Sequence, residues 1–135
     1  MRARAVPLAS YTKKMTNHST PFAKQYQLER NLRPFCRAEV QTLPKGRCGL
    51  YALWLPTELE NAPERLYIGM STTCVRRRLL EHLAHETNPE LRRQLRLFTD
   101  LVEFSVAFTN SEQETRALEA AIIRAWQPET NRKLL

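Results

Sequence analysis

Leu50-Tyr51-Ala52-Leu53-Trp54-Leu55, entered through Gly49, is answered further along the chain by Leu66-Tyr67-Ile68-Gly69-Met70. Both runs are rich in β-forming residues, and the segment between them, with Pro56, Asn61 and Pro63, has the turn chemistry of a hairpin loop. The pattern predicts two paired strands, each placing a Tyr beside a Gly. Paired strands can set two phenols on one side of a small sheet. A glycine in a strand lets another backbone or a ligand come close.

Working outward from the hairpin, the chain of 135 residues suits one domain with a core of its own. No apolar run has the length of a membrane span, so a membrane partner is not expected. The three cysteines, Cys36, Cys48 and Cys74, form no Cys-x-x-Cys pair. An odd, scattered set argues against a disulfide framework or a zinc knuckle and for a reducing compartment, hence a cytoplasmic protein. Charge is unevenly placed within the net +7: residues 1–48 hold ten Lys/Arg against two acids, and residues 49–135 hold eleven against twelve. A basic N-terminal third beside a near-neutral remainder suits contact with phosphates, with a solvated tail as the plain alternative. The domain division expected is a basic, partly flexible arm with a helix over 1–47, then a folded domain over 48–135.

Within the arm, residues 1–20 carry Arg2, Arg4, Lys13, Lys14 and His18 and no acid. They read as extended or disordered, without the amphipathic stripe of a transit peptide. Residues 22–40 show a loose helical pattern interrupted by Pro34, which predicts one helix or two short ones, with Arg30, Arg33 and Arg37 at intervals of three and four. On a helix that spacing sets the three arginines on one face, and they are the candidate nucleic-acid contacts of the arm.

Beyond the hairpin, Ser71-Thr72-Thr73 offers N-cap chemistry for a helix over 73–86, with Val75, Leu79 and Leu83 as its core stripe. Asn88-Pro89 stops it, and a shorter helix over 89–98 follows. In the strand Leu101–Thr109, Val102, Phe104, Val106 and Phe108 alternate with Glu103, Ser105 and Ala107. Ser111-Glu112-Gln113-Glu114 has the form of a capping box and opens a helix to about Trp126. The order β-β-α-α-β-α predicts an α/β (α+β) domain, a small three-stranded, mainly antiparallel sheet flanked by helices.

Two helices carry polar groups where apolar ones are expected. On the last, Leu118, Ala121, Ile122, Ala125 and Trp126 form an apolar face, and Glu119 falls inside that arc. A carboxylate there is costly unless a cation or donors meet it. The structural alternative is an ion pair to a core-edge arginine. On the helix after the hairpin, Arg78, His82 and His85 make a polar stripe beside Val75 and Leu79, while Arg76 and Arg77 point elsewhere. A guanidinium matches phosphate oxygens in a two-pronged fork. Trp54 and Trp126 read as core, Glu86 and Glu103 as surface, and Ser71 and Thr72 as helix starters.

Taken together, Gly49-Leu50-Tyr51, Tyr67-Ile68-Gly69, Arg78 with His82 one turn on, and Glu119 nine residues before Pro128 and twelve before Asn131 resemble the GIY-YIG nuclease family. The resemblance covers about residues 48–132. It implies metal-dependent hydrolysis of a DNA phosphodiester, with Tyr51 as general base, Tyr67 orienting water, and Arg78 stabilising phosphoryl charge. It also implies that His82 supports proton traffic or touches a phosphate, and that Glu119 holds one Mg²⁺ or Mn²⁺. No other small-molecule cofactor is implied. One departure stands out: many members carry Lys after the second triplet, where this chain has Met70. The basic role then falls to Arg76 or His82, or activity is low.

These residues support a stand-alone endonuclease of loose or structure-dependent specificity, using Arg30, Arg33, Arg37, Arg76 and Arg77 on DNA, in a setting such as repair or restriction. A catalytically silent nucleic-acid-binding module is the alternative, and a protein-interaction domain built on 22–40 a third. Oligomeric state and the form of the DNA are left open.

Overall fold

A computed structural model describes residues 21–56 and 63–126 of the chain. The arm residues 1–20, Asn61 of the hairpin loop, and Pro128 and Asn131 lie outside these. The elements are α1 (Pro21–Leu28), β1 (Arg33–Pro34), α2 (Arg37–Val40), β2 (Gly49–Leu55), β3 (Glu64–Ser71), α3 (Val75–Ala84), α4 (Pro89–Leu97), β4 (Glu103–Phe108) and α5 (Glu112–Trp126). The sheet is antiparallel throughout, in the order β1-β4-β2-β3. It therefore has four strands where three were predicted: Arg33 and Pro34 pair with Phe104 and Glu103 along the outer edge of β4. Proline can sit there because an edge strand does not need every N–H in the ladder.

The same two residues break up the expected arginine face. Asn31 takes a left-handed φ of 55° just after α1 and turns the chain into β1. Arg30 thus lies in a turn, Arg33 on a strand and Arg37 on a four-residue helix. The spacing of three and four counts only inside a continuous helix, and the helix ends at Leu28.

Both faces of the sheet are covered. On one, Tyr51, Leu53, Leu66 and Phe104 pack with Val75 and Leu79 of α3, Leu91 of α4, and Phe35, Val40 and Leu43 from the segment before β2. On the other, Leu50, Ala52, Trp54, Ile68 and Ala107 pack with Leu28 of α1 and Leu118, Ile122 and Trp126 of α5. A register shift on β3 sets this division: Leu53 faces Tyr67 while Trp54 faces Arg65, leaving Leu66 as an extra residue. Such a bulge puts two successive side chains on the same side. Leu66 and Tyr67 both join the first face, and Arg65 crosses to the second, where its guanidinium lies 5.0 Å from the Trp126 ring centroid.

The tryptophans are core, as expected, in edge contact at 5.3 Å. Burial of a Trp calls for a partner for its N–H. Trp54 Nε1–H donates to Ser105 Oγ at 3.0 Å, and Ser105 in turn donates to the Leu28 carbonyl at 2.5 Å, tying α1 to the sheet. Ser111 and Glu114 form the capping interaction predicted for α5, with Glu114 N–H donating to Ser111 Oγ at 3.1 Å and the Glu114 carboxylate accepting from Asn110 N–H at 2.6 Å. The cap of α3 differs from expectation. Ser71 Oγ accepts from Thr73 and Cys74 N–H in a turn ahead of the helix, and the cap itself is Cys74, whose sulfur accepts from Arg77 N–H. Among the described residues no helix is long and apolar enough to cross a membrane.

Replacing Ser105 by Ala strands both the Trp54 N–H and the Leu28 carbonyl inside the second core. The expected cost is about 1–3 kcal/mol, read as a lower urea midpoint; an unchanged midpoint would show that α1 is held by other means.

Candidate functional site

Tyr51 stands mid-strand on β2, opposite Gly69 on β3 and Val106 on β4. Its ring lies across Gly69 so closely that a Cβ there would meet Tyr51 Oη at 2.5 Å, Tyr51 Cζ at 2.6 Å and Tyr67 Cε2 at 2.9 Å. This glycine is needed for the approach of a phenol rather than for a turn. Gly49 serves β2 likewise, since a Cβ there would come within 2.6 Å of the Ala107 carbonyl. Tyr67 is the diagonal neighbour, ring centroids 6.3 Å apart. The two phenols of the hairpin do share one face.

His82 of α3 fills the space above them, its ring 5.3 Å from that of Tyr51 and 5.5 Å from that of Tyr67, edge-on to both. Tyr51 and His82 are fully buried. Tyr51 Oη meets His82 Nε2 at 2.5 Å. On the far side of the imidazole, Nδ1 contacts Glu86 Oε1, and Glu86 Oε2 accepts the Asn88 N–H at 2.9 Å. An ionised carboxylate only accepts, so Nδ1 carries a proton, and in the neutral imidazole Nε2 holds the lone pair. In that form the Tyr51 O–H donates to His82. The result is a directed chain, Tyr51 to His82 to Glu86, closed by a backbone amide.

Electrostatics follow from this packing. Burial drives the Tyr51 phenol well above its ordinary value, the neighbouring Tyr67 adds to this, and Arg78 opposes it. Burial also raises Tyr67, against the charge and hydrogen-bonding reach of the Arg78 guanidinium. For Glu86, burial pushes upward, but the hydrogen bonds from His82 and the Asn88 amide outweigh it and hold the carboxyl below its usual range. Arg78 is partly exposed and bonds Glu81 at 3.3 Å. Burial works against its charge, and the two phenols and Glu81 restore it, leaving it raised.

Glu119 is half-buried on α5 between Leu118 and the inward-facing Ile122. The ion pair to a core-edge arginine does not form among the described residues. Arg116, one turn earlier, is paired with Glu112 at 2.9 Å. Among the described residues Glu119 makes no hydrogen bond or ion pair, and burial raises its carboxyl with only the Arg116 charge in opposition. Its charge reaches both Tyr51 and Tyr67. The structure thus brings Tyr51, Tyr67, Arg78, His82 and Glu119 into one electrostatic neighbourhood.

Other residues singled out from the sequence lie elsewhere. Arg30 lies over the Tyr26 ring at 4.0 Å, and Arg33 bonds Thr42 at 3.1 Å and lies 5.1 Å from the Phe104 ring centroid. Tyr26, Arg30 and Arg33 line an open cleft of about 770 Å³. Arg37 is exposed on α2. Arg77 is exposed and donates to Thr73 Oγ1 at 2.8 Å, whereas Arg76 is half-buried with its Nε enclosed and without a hydrogen-bond partner. His85 ends α3 exposed instead of continuing a stripe with His82. Met70 packs on the second core beside Ile123.

Glu86 is misplaced by the sequence, which reads it as surface, whereas its side chain is only 6% exposed. The signal available was its spacing: four after His82, at a helix end, two before the Asn88 that caps α4.

Two solved structures share this arrangement of elements. The GIY-YIG N-terminal endonuclease domain of UvrC from Thermotoga maritima, bound to magnesium as its catalytic divalent cation, matches at a TM-score of 0.50 and 20% identity, covering 68% of this chain and 94% of that one. A tyrosine-to-phenylalanine variant of the same domain, bound to its catalytic divalent cation, matches at 0.50 and 19% over the same shares. The chain has a GIY-YIG-like fold. No protein-family model matches it, and neither does any curated protein sequence. Within the GIY-YIG-like frame the two glycines of the triplets are the points of closest approach, one between strands and one under a phenol.

Gly69→Ala therefore tests the frame. The added methyl must displace Tyr51 or spread β2 from β3, with an expected loss of about 1–3 kcal/mol. The near-ultraviolet signal of the buried tyrosines should change with it. Full retention of both would mean that Tyr51 does not lie on Gly69.

Proposed function

We propose that the chain is a divalent-metal-dependent endonuclease that hydrolyses phosphodiester bonds in DNA. The observation that carries this is the hydrogen-bonded chain from Tyr51 through His82 to Glu86, within reach of the charge of a half-buried carboxylate, Glu119, that has no hydrogen bond or ion pair among the described residues. The donor set fits a hard cation. Mg²⁺ takes one or two carboxylates and fills its remaining positions with water and substrate phosphate, and Glu119 is a carboxylate raised by burial, a shift that the Arg116 charge opposes without cancelling. Glu119 would hold Mg²⁺ or Mn²⁺, which supplies positive charge at the phosphoryl oxygens and lowers the pKa of its water.

The protein's own groups supply proton removal and charge stabilisation. A phenol as deeply buried as Tyr51 stays protonated near neutrality, so it cannot act by waiting as a phenolate. It takes the proton of the attacking water only as its own passes to His82 Nε2. Glu86 holds Nδ1–H throughout and stabilises the imidazolium that forms, the orienting role that a carboxylate plays behind a histidine base. One proton leaves water and one arrives on His82, and Tyr51 ends as it began. Tyr67, edge-on to His82, orients the water. Arg78, partly exposed and within charge reach of both phenols, meets the charge that builds on the phosphoryl oxygens. Arg30, Arg33, Arg37, Arg76 and Arg77 serve the DNA backbone in this reading, with the exposed ring of Tyr26 under Arg30 as a stacking platform.

A nucleic-acid-binding module without catalysis is the second reading, favoured by Met70, which packs against the core where the family often has a lysine. Steep salt dependence of binding, with no cutting in either metal, would establish it.

Three outcomes are expected. Glu119→Gln should abolish cleavage of labelled DNA in Mg²⁺ or Mn²⁺ while leaving DNA affinity in place; metal-dependent cutting at the wild-type rate would end the assignment. In thermal melts, the same variant should lose the stabilisation that Mg²⁺ confers on the wild type. His82→Ala should slow cleavage by about 10²–10⁴-fold near neutral pH, and the residual rate should climb with pH. Burial raises the Tyr51 phenol well above its ordinary value, so the unassisted base is protonated near neutrality and becomes more available as the pH rises. A flat pH profile in that variant would dissociate Tyr51 from the proton transfer.

A further inference from the structure

We infer that the cleft between the end of α3 and α4 binds an unpaired nucleotide of a single-stranded DNA segment, next to the proposed cutting site. The inference rests on the nucleic-acid reading above and assigns the form of its substrate. The cleft encloses about 470 Å³. Its floor is apolar, made by Phe35, Leu83, Leu95 and Val102, and Arg92 and Arg96 stand over it from α4. His82 and Glu86 belong to its inner wall, so the chain that begins at Tyr51 backs directly onto it.

The two arginines are one helical turn apart, so their charges crowd each other, a mildly unfavourable arrangement that an anion relieves. Both are exposed, and among the described residues neither guanidinium has a hydrogen bond or an ion pair, whereas that of Arg93 between them is paired with Glu90 at 2.8 Å. The carboxylate nearest the cleft, Glu86, is already engaged by His82 and the Asn88 amide and does not neutralise them. His85 and the Thr99 hydroxyl complete the rim. Arg92 and Arg96 also line a smaller depression, of about 300 Å³, with Pro89, Arg93 and Leu97, so the cationic surface continues past the cleft.

Phosphates alone need no apolar floor. A cleft with Phe35 and aliphatic side chains below and guanidinium groups above accommodates a base on its face and a phosphate at its edge. Bases inside a duplex are stacked and do not present their faces, so the occupant is unpaired.

The test is metal-free binding of the full chain to a labelled oligothymidine and to a blunt duplex, followed by fluorescence anisotropy across a salt series. R92Q/R96Q should weaken oligothymidine binding about tenfold or more and reduce the log–log salt slope by about 1.4, two phosphates at ~0.7 each. Leu95→Trp, which fills the floor, should weaken it with the slope unchanged. Duplex affinity should move by less than about twofold in both. Equal losses on duplex would mean a general phosphate contact, and undiminished oligothymidine binding in R92Q/R96Q an idle cleft; either overturns the inference. Circular dichroism checks that each variant folds, and the arginine pair decides alone if Leu95→Trp does not. Cleavage is read separately. A protein that binds as expected and never cuts loses the nuclease reading and keeps this one. Glu119-dependent cutting with single-strand binding indifferent to R92Q/R96Q does the reverse.

Discussion

The arrangement depends on one contact, the Tyr51 phenol lying flat across Gly69 with its hydroxyl on His82. A buried hydroxyl without a partner costs roughly 1–3 kcal/mol, so the fold must bring an acceptor to it, and the only route is over the first face of the sheet. That requirement fixes how α3 sits. Val75 and Leu79 anchor the helix in the core, and the next inward position is histidine in place of another apolar residue. His82 in turn is buried and needs a partner for its second nitrogen, which draws Glu86 in from beyond the end of α3. The Asn88 amide satisfies Glu86, and the Asn88 side chain caps α4. From one phenol to the start of α4, each polar group is placed by the need of the one before it.

Glu119 stands apart from this closed series. The chain of three is satisfied within the protein, whereas the carboxylate on α5 has burial without compensation among the described residues. Groups pushed apart in this way, one acid held down by donors and the other pushed up by desolvation, often mark an acid–base or metal division of labour. The proposed nuclease chemistry uses that division: in it Glu86 would steady a proton relay and Glu119 would hold a cation. Met70 packs on the second core, and among the described residues His82 and Arg78 are the basic side chains that act on the phenols.

Strand pairing was legible in the sequence because it rests on local pattern. Gly, Tyr and β-branched or aromatic residues in two short runs specify a hairpin, and Leu118, Ile122 and Trp126 at helical spacing specify the buried side of α5. Glu119 was legible too, as a carboxylate inside an apolar arc. The arm arginines were misjudged because a periodicity argument holds only while the helix lasts, and Asn31 with Pro34 end it early. Cys74 took the cap expected of the preceding hydroxyls because Ser71 spent its oxygen on the turn before the helix.

By itself, then, the sequence determined the order of elements, the two-phenol hairpin and the inward acid, all of which are set by residues within a few positions of one another. Tertiary structure decided the fourth strand, the bulge at Leu66 that turns Tyr67 onto the face of Tyr51, and the burial of Glu86 behind His82. A carboxylate four residues after a histidine reads as solvent-exposed until the histidine is itself enclosed, and whether it is enclosed depends on a phenol 31 residues away in the chain.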